Sequence, residues 1–545
     1  MATTVGVTDE KKLKRFLHYA SIGGTYLPGA RLHAIHYKED NIDLLVAILK
    51  NMQKEKIFEV IKKVYKENTS PHQEMIPFVL AECARIDSLK IEALKTAEIL
   101  CDNTKLFLLF FKFGFERVPK IGCGPACKRL IGAYYLKKDV TKLAGEVAQF
   151  PKYRGWRHQD LFRLAHLKAK PDDIARQALF AYISRGAETM NKHFNEPEPK
   201  PEAKEIVDYL NKVDSFRKER DPARAAETIE TYMLTVDHLN FIHLKNRQVW
   251  CALLRQIPLR TLLDHFSLIA RNKLFRSGRG WDADFKSCVR DSLQNNQAIT
   301  DSGLHPSRVF IENIAYQFEA KFKLENAVKK NLRVAQKAPA VSSEIVSALN
   351  QLMNATFKLF KPTNLRYIIA VDPFDMTTRK VGHIPFMLPS QGAAITVQSY
   401  LKIEPNVTVV APTWDGPISP IEVAKTSTAK ELEEILSSVR SKTTVAPKTM
   451  PKRDPTVSMV DVFEWAQKQK KKFDVFILVA TAINATQYVA KFAQYQRTMK
   501  LPRSKLVLLS LCCAKNTVDT KDIFVVSGFD DKVLPLIVNF VKESI

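Results

Sequence analysis

At Leu365 the hydrophobic period of this chain changes, and that break dictates two architectures in one polypeptide. From residue 8 to about 360 the apolar residues recur at three- and four-residue spacing, as in NIDLLVAILKNM (41–52) and IFEVIKKVYKE (57–67). That spacing places them on one side of successive amphipathic helices. From LRYIIAVD (365–372) onward, short, largely apolar runs take over: NVTVVAPTW (406–414), FDVFILVAT (473–481), KLVLLSLC (505–512) and IFVVSGF (523–529). Runs of this length read as strands buried on both faces. Helical stretches separate them, at roughly Ser390–Leu401, Ala429–Val439, Ser458–Gln469, Thr486–Met499 and Asp531–Glu543. Strand and helix in alternation predict a doubly wound α/β domain with a mostly parallel sheet.

Upstream, helices are predicted over Ile76–Ile86, Ile91–Leu100, Lys105–Phe113, Lys128–Leu136, Ile174–Arg185, Ala203–Val213, Ala223–Leu239 and Asn246–Ile269. Pairs of varied length without a strict sequence period match a HEAT-like α-solenoid, which buries its core between neighbouring pairs. Glycine is scarce, 18 residues in the whole chain, which supports helices over a large β protein. HFNEPEPKPEAKE (193–205) reads as an exposed excursion and RSGRGWDAD (276–284) as a turn between helices. KFKLENAVKKNLRVAQK (321–337) reads as a basic, solvated helix face. The expected domains are a helical one over 1–362 and an α/β one over 363–545.

A formal charge of +25 favours a polyanionic partner, either nucleic acid or an anionic membrane surface. A net +17 belongs to residues 1–360 and +8 to the remainder, so the excess is not a tail. The start lacks an apolar signal segment, and no stretch approaches the roughly 20 apolar residues of a membrane span. The eight cysteines are expected as free thiols in a reducing compartment. Cys123 and Cys127 form a lone CxxxC, and His33 and His36 lack a third ligand, so neither pair makes a metal site. GxxxxGK[ST], GxGxxG after a strand, HExxH and GxSxG are all missing, and no nucleophile–base pair emerges; no enzyme is expected.

The strongest candidate for function is PKYRGWRHQDLFRLAHLK (151–168). It reads as a short basic loop with Trp156, followed by an amphipathic helix. Counting from Arg157, Gln159, Arg163 and His166 share one face, and Leu161, Leu164 and Ala165 another. Cations beside an aromatic on a rigid support suit RNA, whose phosphates supply affinity and whose unstacked bases need a planar partner. A merely solvated basic helix has the same spacing.

This segment also carries a resemblance, in its GW, H-x-D-L, R-L and H-L-K steps. RFLHYASIGGTY (15–26), VDHLNFIHLKNRQVWCALLRQIPLRTLL (236–263) and SGFDDKVLPLIVNF (527–540) extend it over nearly the whole chain. Together they resemble the Ro (SS-A) sixty-kilodalton ribonucleoprotein family, a TROVE module followed by a von Willebrand factor A domain. The resemblance implies a ring of HEAT-like helices closed by the A domain. It further implies binding of small noncoding Y RNAs on the outer surface and of the ends of misfolded RNAs in the central hole. The family's RNA-contacting positions fall on Lys128 and Arg129, in ACKRL, and on His166. Arg154 aligns through a one-residue gap, with Lys152 near it. Helix geometry and charge add Arg163 and Lys168.

The A domain of that family can hold a divalent cation through D-x-S-x-S, a threonine from a second loop and an aspartate after a third strand. Here DPFDM (372–376) keeps Asp372 but has Phe374 and Met376 for the serines. Thr456 stands in the second loop, and Thr481 replaces the third carboxylate. Asp375 is offset by one residue. No cofactor and no tight divalent site are expected; the domain would close the ring and take protein partners without metal. The expected whole is a monomeric RNA-binding protein of the cytoplasm, and also of the nucleus, with no membrane partner. The alternative is a scaffold in which the same charge serves acidic proteins.

Overall fold

A computed structural model describes residues 7–28, 39–68, 70–275, 282–329, 341–412, 418–442, 459–516, 518–543 and 545. His33, His36, Thr456 and Trp281 lie outside them, as does much of the basic 321–337 stretch. The chain divides into two compact units, Asp43–Ile257 and a second made of Met1–Ile42 with Pro258–Ile545.

Asp43–Ile257 is helical apart from one hairpin, and its helices pack on their near neighbours in sequence. Met75–Arg85 packs on Asp87–Leu100 and Thr104–Glu116, Asp87–Leu100 on Pro125–Lys137, and Ile174–Arg185 on Ala187–Phe194 and Lys204–Lys218. Every residue from Met75 to Ala84 is buried, so that helix has no wet face. Aromatic residues fill the centre: Phe78 meets Phe113 edge-on at 5.1 Å, and Phe107 stacks on Tyr134 at 3.8 Å. The expected Asn246–Ile269 helix is two, Arg247–Leu254 and Leu259–Arg271. Pro258 stands between them, because it offers no N–H and its ring crowds a preceding turn. Likewise Ala223–Leu239 stops as an α-helix at Tyr232, where Met233 turns left-handed at φ 51°.

In the second unit, strands β4 (Arg366–Val371), β5 (Asn406–Pro412), β7 (Val475–Asn484), β8 (Lys505–Asn516) and β9 (Ile523–Ser527) are parallel neighbours. The two short strands β1 (Thr25–Tyr26) and β6 (Ile418–Pro420) complete a sheet of order β1-β9-β8-β7-β4-β5-β6. Only β6 runs antiparallel, at one edge. The β4–β7 register sets Ala370 beside Leu478, and the β4–β5 register sets it beside Val410. Successive strand residues point to opposite faces, and both faces are covered. Ile368, Phe476 and Leu508 pack with Phe463, Phe492 and Tyr495 of helices Val462–Lys468 and Thr486–Thr498. On the other face Tyr367 meets Tyr400 at 5.0 Å and Phe524 stacks on Phe540 at 5.4 Å. This is the doubly wound α/β arrangement expected.

The chain's own start joins this sheet. Helix Asp9–Tyr19 ends with Tyr19 against Phe524 at 5.8 Å, and β1 then pairs in parallel with β9, Thr25 with Val525 and Tyr26 with Val526. Arg15 is buried and ion-pairs with Asp519 at 2.6 Å. No helix of the described residues is long and apolar enough to cross a membrane.

Candidate nucleic-acid interface

The interface starts from helix Pro125–Lys137, which opens with Gly124 as N-cap and Pro125 in its first turn, where a missing N–H costs nothing. Cys127, Leu130, Ile131, Tyr134 and Tyr135 are buried, an i, i+3, i+4, i+7, i+8 stripe. Lys128 and Arg129 fall between those positions and are exposed. The far end of the helix is tied down by buried Arg176, which donates to the carbonyls of Tyr135 at 2.6 Å and Lys138 at 2.9 Å. A guanidinium on the last carbonyls satisfies acceptors that the helix itself cannot.

The basic loop before the second helix is a tight hairpin. β2 (Lys152–Tyr153) pairs antiparallel with β3 (Trp156–Arg157), leaving Arg154 and Gly155 as a two-residue connection. Both adopt left-handed backbone, at φ 49° and 101°. Those are the signs of a type I′ turn, whose twist matches the flanking strands. Trp156 packs: its indole lies 5.6 Å from Phe115 and 6.5 Å from Phe111. It anchors the hairpin while Lys152, Arg154 and Arg157 are exposed.

Helix His158–Ala165 follows at once, and the Arg157 N–H donates to the Asp160 carboxylate at 2.9 Å. Its inner side is aromatic. His158 is buried with Nδ1 2.6 Å from the Tyr135 hydroxyl, and Phe162 lies edge-on to Tyr135 at 4.9 Å and to Phe180 at 4.7 Å. Burial holds the His158 imidazole down to a pKa of about 4, hence neutral. The helix is shorter than the periodic face assumed. His166 is its C-cap, at φ 54°, with its N–H on the Phe162 carbonyl at 2.8 Å. Gln159 does not share a solvent face with Arg163 either, because its amide donates to the Ser184 carbonyl at 2.7 Å. Arg163, His166 and Lys168 are exposed, and the cation of Arg163 in the last turn suits the helix dipole.

Tyr135, Phe162 and the Cys123 thiol, which reaches the Leu164 carbonyl at 3.6 Å, thus bind the two helices into one support. On it stand six exposed cations, Lys128, Arg129, Lys152, Arg154, Arg163 and Lys168, with the His166 imidazole. Among the described residues none of the seven has a side-chain hydrogen bond or ion pair. Two further arginines escaped the sequence reading. Arg157 and Arg185 are also exposed and without such partners, and both line one cavity with Gln159 and Gly186. Their proximity depends on the Gln159–Ser184 contact, which leaves no local sequence signal.

The switch point of the α/β sheet has a different chemistry. Asp372 follows β4 and is buried, and one carboxylate oxygen accepts the Phe374 N–H at 3.1 Å. Phe374 and Met376 are buried where hydroxyl ligands would stand, whereas Asp375 is exposed at φ 58°. Thr481 does not sit at a strand end as expected. It is buried within β7, between residues where the pairing with β8 shifts register. Pro373, Met376 and Leu436 line a cavity of about 120 Å³ beside Val371. Among the described residues no group of three His, Cys, Asp or Glu could hold a metal. Two of the positions that would offer hydroxyl oxygens to a hard divalent cation are thus apolar, and Thr456 lies outside the described residues.

Comparison with known proteins agrees with this architecture. A family model described as the Ro60 vWA domain matches residues 366–541. An RNA-binding protein RO60 of Caenorhabditis elegans is 20% identical over 610 residues, covering 99% of this chain and 89% of its own length. The RNA-binding protein RO60 of Deinococcus radiodurans is 22% identical over 404 residues, covering 73% of this chain and 69% of its own. The crystal structure of the Deinococcus radiodurans RO (RSR) protein superposes with a TM-score of 0.75 at 19% identity, over 99% of this chain and 100% of that one.

Proposed function

We propose that the chain is a member of the Ro60 family and an RNA-binding protein rather than an enzyme. Its ligands are small noncoding RNAs of the Y type and the 3′ ends of misfolded RNAs, and its role lies in ribonucleoprotein assembly and RNA quality control. The observation that carries this reading is the set of six partnerless cations and His166 on an aromatic-backed support. A cation committed to an internal ion pair neutralises itself, whereas a free one can displace the counterions of a phosphate. The names of the two relatives point the same way. The residues around Asp372 favour an A domain that works without a divalent cation and takes protein partners through other surfaces.

Crosslinking the protein to RNA in its own cells and sequencing what is bound tests the proposal. A discrete population of small noncoding RNAs is the expected result. A background that follows ribosomal RNA abundance would overturn it and favour the scaffold for acidic proteins.

A further inference from the structure

Cys123 and Cys127 are both free thiols, and they meet where the basic face is anchored. Cys123 precedes Gly124, the N-cap of helix Pro125–Lys137, and Cys127 lies in that helix's first turn, immediately before Lys128 and Arg129. The Cys127 thiol donates to the Cys123 sulfur, so the two sulfur atoms are neighbours. The Cys123 thiol in turn donates to the Leu164 carbonyl at 3.6 Å. Leu164 stands in the last turn of helix His158–Ala165, whose final carbonyls have no donor within the helix. One sulfur thus ties the start of the first helix to the end of the second.

The two thiols differ in access. Cys127 is 1% exposed, and burial pushes its thiol well up, so it stays protonated. Cys123 is half-buried and is the sulfur that an oxidant meets first. Its backbone is also adjustable, because Gly122, at φ 67°, and Gly124 flank it with open space where a Cβ would stand. A disulfide demands a shorter separation and a fixed torsion between the sulfurs, and a residue between two such glycines can turn to meet it. An accessible sulfur with a second thiol beside it is the arrangement in which oxidation ends in a reversible disulfide.

We infer that Cys123 and Cys127 are a peroxide-sensitive thiol pair that closes to an intramolecular disulfide, withdrawing the Cys123 donor from the helix end that presents Arg163 and His166. The oxidant is hydrogen peroxide. The Cys123 thiolate attacks one peroxide oxygen, the O–O bond breaks, and the departing hydroxide takes up the thiol proton as water. Cys123 then carries a sulfenic acid. The Cys127 sulfur attacks the Cys123 sulfur, the S–O bond breaks, and the hydroxyl leaves with the Cys127 proton as a second water. The two thiols are oxidised by two electrons and the peroxide is reduced by two. Disulfide formation stands by itself; its effect on RNA rests on the proposed RNA binding.

In the test, the full chain is exposed to hydrogen peroxide, its remaining thiols are alkylated, and it is digested with trypsin. Cleavage after Lys120 and Lys128 releases both cysteines in one peptide, Ile121–Lys128. That peptide should appear unalkylated and lighter by two hydrogens, and dithiothreitol should restore both alkylatable thiols. In Cys127→Ala a sulfenic acid should persist at Cys123 and be trapped by dimedone, whereas the parent should trap little. Full alkylation of this peptide when exposed Cys513 is already oxidised, or equal trapping in parent and variant, would overturn the pair.

Gel-shift titration of a Y-like RNA at fixed salt reads the coupling. The oxidised parent should bind about threefold more weakly, the loss expected for one weak S–H···O contact, and dithiothreitol should reverse it. Cys123→Ser keeps a donor for Leu164 and cannot form the disulfide, so it should bind like the reduced parent with or without peroxide. Disulfide formation with unchanged affinity would overturn the coupling. A reduced parent that binds no RNA would overturn the proposed RNA binding and leave the thiol pair standing.

Discussion

The hydroxyl of Tyr135 lies 2.6 Å from Nδ1 of His158, joining helix Pro125–Lys137 to helix His158–Ala165 across a buried contact. Both helices carry candidate RNA-binding cations on their outer sides, so this bond belongs to the support and not to the face. Tyr135→Phe should therefore lower stability by about 1–3 kcal/mol, the cost of leaving a buried imidazole nitrogen unpaired. At temperatures where the variant stays folded, its RNA affinity should equal the parent's. A variant with an unchanged thermal midpoint would show that the bond contributes nothing to the support.

Acid should unfold the protein in a particular window. Burial depresses His18, His158 and His238 to about 4, and His305 to about 3. With a folded pKa below the ordinary value, the unfolded chain takes up protons first as pH falls. Stability is then complete above about pH 6.5 and declines towards pH 4, by up to about 3 kcal/mol per histidine. The carboxyls of Glu82, Glu312 and Asp530, raised by burial, oppose the trend near the low end. His158→Gln, whose amide can still meet Tyr135, should melt with a shallower pH dependence than the parent between pH 6.5 and 4.5. Identical slopes would remove His158 from this account.

For the face itself, Lys128→Ala with Arg129→Ala should weaken binding of a Y-like RNA and reduce the salt slope by about 2, one per lost phosphate contact. His166→Ser should weaken binding through a lost stacking or hydrogen-bonding group. All three side chains are exposed, so thermal melting should not move in either variant. Gel-shift titrations at several salt concentrations measure both quantities. Unchanged affinity in both variants would remove these residues from the interface.

The legible parts of the molecule were those with long periodic signals. Buried strands such as Val475–Asn484 and helices such as Ile174–Arg185 fall where their apolar spacing puts them, to within a few residues. Short elements were not legible. The Lys152–Arg157 hairpin is two residues on each side, and its turn carries Arg154 where Asn or Asp would have announced it. β1 is also two residues long and pairs with residues 500 positions away, so no local window contains the pairing. Its one trace is Gly24, where a Cβ would collide with the Val518 carbonyl. In the candidate site, the types of residue were readable but their setting was not. The left-handed turn at His166 and the meeting of Arg157 with Arg185 around one cavity are tertiary facts.

The sheet's switch point should be indifferent to divalent cations. Phe374 and Met376 are packed inward and Asp375 is exposed, so the two positions after Asp372 that would carry hydroxyl ligands carry apolar side chains instead. Calorimetric titration of the full chain with Mg²⁺ or Mn²⁺ should give no saturable heat, and thermal melting should be the same with either ion or with a chelator. Saturable binding that vanishes in Asp372→Ala would defeat this expectation and return the domain to metal-dependent recognition.

The first and last segments of the chain meet through Tyr26, whose hydroxyl donates to the half-buried Asp530 carboxylate at 2.7 Å. Burial pushes the Asp530 carboxyl up, and the Tyr26 bond works against that by favouring the charged form. Tyr26→Phe removes the donor while keeping the ring that packs edge-on to Tyr19 at 6.1 Å. The variant should therefore lose about 1–3 kcal/mol at neutral pH. It should recover part of that as the pH falls, because a neutral Asp530 no longer needs the donor. The same loss at every pH would mean that the carboxyl is already protonated in the parent. A variant as stable as the parent throughout would mean that β1 holds its place on β9 by backbone pairing and ring packing alone.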